Sequence, residues 1–233
     1  MKRYNTLIPA FCGLVLLASC NKDNKVITDQ QTADLVESSL ATVDAGAMED
    51  YKMAATYAEV MYSTYVGDCS FTDDTIYSFN YTGPLRTYDF SSAMSWTVDC
   101  TGLEVTAITF ALVKSGSYAG PKCTRDGDAT GTLVLTDLAP SFAEYSASGT
   151  LNGNGNATFE TSKGTVTTST VTELTLTSLT IDKSTYQITS GSGALTIDAT
   201  KDGKSVTKTA TLTFDGSSVI FTINGEDYVF TIY

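Results

Sequence analysis

The chain is 233 residues long, 42% hydrophobic and 17% charged, with 4 prolines and no histidine. Its 14 Lys and Arg stand against 26 Asp and Glu, a formal net charge of −12, so it offers no basic surface to nucleic-acid phosphates. The missing histidine excludes Ser-His-Asp triads, Cys-His dyads and His-ligated zinc, and the length suits one domain around one core.

Lys2 and Arg3 precede an apolar run through Leu7, Ile8, Phe11, Leu14, Val15, Leu16 and Leu17, too short for a comfortable membrane span. The run ends in Leu17-Ala18-Ser19-Cys20, which resembles the lipobox of bacterial lipoproteins. The resemblance implies that residues 1–19 are a removed signal peptide and that the Cys20 thiol carries the lipid. It also implies that the membrane is a partner through this anchor. Asn21 stands where inner-membrane lipoproteins of many bacteria carry Asp, which implies an outer-membrane address, on the periplasmic face or at the cell surface. Asn21-Lys22-Asp23-Asn24-Lys25 is similar to the export tags of Bacteroidetes-type surface lipoproteins. Asp74-Thr75-Ile76 resembles an O-glycosylation site of the same bacteria, with Thr75 as acceptor. A polar tether and a polar loop are the alternatives for these two short matches. Loss of Lys2 and Arg3 with the leader leaves 12 basic against 26 acidic groups, so the mature body is repelled by anionic headgroups.

Residues 20–31 read as a polar tether, and 32–66 as a helical segment. Val36, Leu40, Val43, Ala47, Tyr51, Ala54, Ala58, Met61 and Tyr65 recur every three or four positions and form one stripe to pack on the body. Asp34 with Glu37 suggests a capping box, Gly46 a break between two helices, and Gly67 a C-cap.

From residue 67 to 233 the chain reads as a large antiparallel β domain, rich in β-branched residues with 39 threonines in the whole chain. The pattern predicts strands over 103–113, 132–138, 142–151, 157–161, 165–181 and 186–189, then 195–200, 206–214, 219–223 and 228–233. The last four are separated by Asp202-Gly203, Asp215-Gly216 and Asn224-Gly225, signals for tight hairpins. A bulge is expected near Ala107, where the alternation shifts, and a bend at Gly191 and Gly193. Val206, Ala210, Leu212 and Phe214 share one face and Thr207, Thr209, Thr211 and Thr213 the other, whereas the last two strands carry apolar residues on both faces and imply cover on both. The fold class is mainly β (α+β): a helical segment followed by a meander, sandwich or open barrel.

Beyond Cys12 and Cys20, three cysteines remain, so one disulfide is expected, with Cys69–Cys100 preferred because it brackets an aromatic segment. In that segment Tyr77, Tyr81, Tyr88 and Trp96 are candidates for stacking on a glycan, and alternating core strands are the bland alternative. Asp126, Asp128, Thr130 and Asp137 match the spacing of an EF-hand calcium loop in part, but Val134 and Leu135 look extended, which favours an acidic turn and no metal. The threonine stripes resemble ice-binding arrays but lack a strict repeat, so a solvated face is expected. Carboxylates such as Asp73, Asp89, Asp99 and Glu104 are available for glycoside hydrolysis, but nothing sets them apart from surface charge. The expected function is that of a membrane-anchored, non-enzymatic binding or structural module without a cofactor, meeting a glycan, an apolar ligand or a protein partner. The alternatives are a carrier of lipid or a small apolar ligand in a barrel-like cavity and, more weakly, a glycan-binding or glycan-hydrolysing protein.

Overall fold

The structure is a computed structural model, and it describes residues 26–40, 47–64, 72–84, 87–162 and 164–231. Two helices, α1 (Asp29–Leu40) and α2 (Ala47–Thr64), precede ten strands. These are β1 (Thr72–Thr82), β2 (Thr87–Thr101), β3 (Glu104–Ala119), β4 (Cys123–Thr136), β5 (Glu144–Thr161), β6 (Gly164–Asp182), β7 (Ile188–Lys201), β8 (Lys204–Asp215), β9 (Ser218–Ile223) and β10 (Glu226–Thr231). Each pairs antiparallel with its chain neighbours in one open sheet, with β1 and β10 at the edges. The expected meander thus runs through the whole β region.

The first helix starts earlier than the periodicity suggests. Thr28 Oγ1 accepts from the Gln31 amide at 3.1 Å while Gln31 Oε1 accepts from the Thr28 amide at 2.9 Å, a reciprocal capping box. Asp34 lies inside α1 and accepts from Gln30 Nε2, so Asp34 and Glu37 do not cap it. Val26 and Ile27 are already buried, which corrects the expectation of a polar tether over them, and residues 20–25 lie outside the described residues. Of the stripe, Val36, Leu40, Ala47, Tyr51, Ala54, Ala58 and Met61 are buried, and Val43, Gly46, Tyr65 and Gly67 lie outside the described residues.

Ten strands about 4.8 Å apart would span about 43 Å if flat, and two helices each about 10–12 Å across would leave much of that face wet. Yet residues from β2 to β10 share one buried cluster with both helices. The sheet therefore curls around them. A row of glycines permits the tight coiling: Gly116, Gly127 and Gly155 are paired across β3, β4 and β5. A Cβ on Gly155 would lie 1.9 Å from the Asp126 carbonyl oxygen, and one on Gly127 2.1 Å from that of Asn154.

Several predicted strands are single longer ones. The segments 142–151 and 157–161 both belong to β5, and 195–200 joins Ile188 in β7. The bulge falls where Asp99 pairs Ala107 and Cys100 pairs Val105, one residue from the expected site. Asp202-Gly203 and Asn224-Gly225 have positive φ at both positions, as the type I′ hairpin requires. The final hairpin corrects the expectation of cover on both faces. Val219, Phe221, Ile223 and Phe230 are buried on the helix side, whereas Val229 is 66% exposed on the other.

Candidate functional site: a charged cavity between helices and sheet

Strand alternation carries two unusual side chains inward. In β3 the inner positions run Ile108, Phe110, Leu112 and then Lys114; in β4 Arg125 shares the inner parity of Cys123, Leu133 and Leu135. Helix α2 presents Asp50 to them, one position before the stripe residue Tyr51. Lys114 Nζ donates to both Asp50 oxygens at 2.9 Å, and the Tyr77 hydroxyl of β1 donates to Asp50 Oδ1 at 2.8 Å. The same ammonium lies 5.8 Å from the Phe90 ring centroid. Burial, then the charge of Asp50, pushes the Tyr77 and Tyr51 hydroxyls far above the ordinary tyrosine range.

Arg125 occupies the adjacent inner position on the far side of the glycine row, where it pairs with Tyr118 and Ala157 in the ladder. Its Nη1 donates to Ser39 Oγ at the end of α1. Loss of hydration pulls its pKa below the usual arginine value. No carboxylate among the described residues lies within 4 Å of its nitrogens. Asp126 and Asp128 are exposed on the opposite, outer face.

Between these groups lies a cavity of about 100 Å³. Small residues of the sheet, among them Gly127, Ala129 and Gly153, form its floor, Phe90, Leu151 and Leu174 its apolar walls, and Ser39, Asp50, Lys114 and Arg125 its polar rim. The arrangement holds a net positive group beside a neutralised ion pair in a partly apolar enclosure. It suits recognition of a small anion.

The residues singled out in the sequence are placed differently. Tyr88 and Trp96 are buried inner-face residues, and Trp96 stacks on Tyr57 of α2 at 5.5 Å, so the Trp96 ring seats a helix and neither ring is presented to solvent as a glycan platform. Tyr77 is tied to Asp50, and the side chain of Tyr81 lies outside the described residues. Asp126, Asp128 and Thr130 lie within strand β4, and Asp137 follows it at φ 57° with its carboxylate accepting from Ser146. An extended strand cannot wrap a cation as a calcium loop does, and no group of three metal-binding side chains occurs among the described residues. Thr75 is half-buried in edge strand β1. Cys100 is disulfide-bonded and Cys123 is a free, buried thiol, whereas Cys20 and Cys69 lie outside the described residues. Asp50, Lys114 and Arg125 were not evident as a site from sequence, although the parity of β3 and β4 marks both cations as inward.

Comparison of the chain with protein-family models, curated proteins and solved structures returned no match.

Proposed function

We propose that the protein is a lipid-anchored module of the outer membrane that acts by binding and not by catalysis. The observation that carries this reading is the Leu17-Ala18-Ser19-Cys20 run, whose cysteine lies six residues before Val26, the first described residue and itself buried. An extended chain spans at most about 3.6 Å per residue, so the body is held within about 22 Å of the acylated cysteine. The −14 charge of the mature chain keeps that body in solvent rather than on anionic headgroups.

The recognition site in this reading is the cavity beneath α1 and α2. At about 100 Å³ it falls well below the roughly 300–1,000 Å³ of drug-sized ligand pockets, which speaks against a carrier of whole lipids. The inner aromatics are occupied in packing, which speaks against a glycan platform on Tyr88 and Trp96. The test is fractionation of host cells expressing wild type or Cys20→Ala with its leader intact. Wild type is expected in the outer-membrane fraction and the variant in the soluble fraction. A variant that still sediments with membranes would overturn the anchored reading.

A further inference from the structure

We propose that the cavity beneath α1 and α2 is a receptor for a small organic monocarboxylate, gripped by Arg125 and enclosed by Phe90, Leu151 and Leu174. This inference rests on the binding-module reading and names the ligand class of the same site.

The charges inside the cavity decide the sign of the ligand. Asp50 accepts from Lys114 at both oxygens and from Tyr77 at one, so that cluster is internally balanced. Arg125 adds one further positive charge, and the partner its guanidinium meets is the neutral hydroxyl of Ser39. Asp126 and Asp128 face the other side of the sheet, and burial raises the pKa of the neighbouring Cys123 thiol and keeps it protonated at neutral pH. A guanidinium carries five N–H donors in a planar fork that matches one carboxylate in two parallel hydrogen bonds. An enclosed cation without its counter-charge destabilises a fold, so a binding role explains its presence better than packing does. A single negative charge balances the site, whereas a dianion would face Asp50 with a surplus.

Volume and lining decide the rest of the ligand. An apolar cavity of about 150 Å³ accommodates benzene, so about 100 Å³ admits an acid of only a few carbons. The floor of Gly127, Ala129 and Gly153 leaves the space open, the walls of Phe90, Leu151 and Leu174 meet an alkyl body, and the Thr172 hydroxyl lies beside the Gly153 floor. Butyrate has this size, charge and polarity.

The experiment is titration calorimetry and thermal melting of the detergent-solubilised, full-length mature protein with sodium butyrate, sodium phosphate and sodium chloride at matched ionic strength. Butyrate is expected to bind with saturable heat and to raise the melting temperature, with phosphate and chloride producing no saturable heat. Arg125→Gln is expected to weaken butyrate at least about tenfold, the loss of a charge-assisted fork. It should melt no lower than wild type in the absence of ligand, because it removes an enclosed charge. Ala129→Leu, which keeps Arg125 and fills the floor, should also abolish the heat. No saturable butyrate heat, equal binding of phosphate or chloride, or undiminished binding by Arg125→Gln would each overturn the proposal. Loss of stability in Arg125→Gln with no ligand response in wild type would make Arg125 a structural tie to Ser39. None of these outcomes changes the fractionation of Cys20→Ala, so failure of the ligand and failure of the anchor read out separately.

Discussion

Asp50 of α2 and Lys114 of β3 form the most buried ion pair among the described residues, with side chains 2% and 11% exposed and both carboxylate oxygens 2.9 Å from the ammonium. Tyr77 completes the cluster from β1, so one helix and two strands meet at a single carboxylate. Position 50 is where the curled sheet and its helical plug are fixed in register.

Removing one partner of such a pair leaves the other charge enclosed and uncompensated. Lys114→Met is expected to cost about 3–5 kcal/mol by urea denaturation. The double variant Asp50→Leu with Lys114→Met should recover most of that loss, since a well-packed apolar pair replaces a desolvated ionic one. A double variant no more stable than Lys114→Met alone would contradict this account of the cluster.

Packing between α2 and β5 is equally specific at Gly149. A Cβ there would lie 2.3 Å from the Thr132 carbonyl oxygen and 2.6 Å from the Tyr51 hydroxyl. Gly149→Ala should lower stability by about 1–3 kcal/mol through overpacking. Tyr51→Phe in the same chain should restore only part, because the backbone contact remains. Chemical denaturation of the three variants reads this directly.

Alkaline pH should unfold the protein. Tyr51 and Tyr77 are raised far above the ordinary tyrosine value of 10.0 by burial first and the Asp50 charge second, and burial pushes Tyr145 up to about 12. With folded values above unfolded ones, the unfolded chain releases these protons first. Stability is therefore full below pH 10 and falls as pH rises from there through the folded values. Tyrosinate absorbance should appear in two phases, the later one coincident with loss of circular dichroism. A single phase complete before unfolding would contradict the burial of these hydroxyls.

Much of the architecture is legible in the sequence because period-two alternation and Asx-Gly turns are local signals. The threonine face of β8 and the turns at Asp202-Gly203 and Asn224-Gly225 are direct consequences of both. The site was less legible. Lys114 and Arg125 continue inner-face alternations set by Leu112 and Cys123, yet an inward charge is distinguishable from a frayed strand only once Asp50 and the glycine floor are placed against it, across 64 residues in one case. The aromatic segment misled in the opposite way: Tyr88 and Trp96 have stacking chemistry, but their parity turns both to the buried face, where Trp96 meets Tyr57 of α2. Curling is a sum of many small strand rotations and close glycine approaches, which no single window contains.

Thiol chemistry separates the cysteines. Burial, ahead of all other influences, raises the Cys123 pKa, so this thiol should resist iodoacetamide in the native protein at neutral pH and react on unfolding without reductant. Cys100, being disulfide-bonded, should label only after reduction, and peptide mapping is expected to recover it linked to Cys69. Alkylation of Cys100 in unfolded, unreduced protein would contradict the pairing.

The most direct test of the anchored-module account is the mass of the N-terminal peptide of the protein extracted from its host membrane. The account predicts a chain beginning at Cys20 and carrying a diacylglyceryl group on its sulfur. A chain that begins at Met1, or at any residue other than Cys20, with no lipid on this thiol would contradict it.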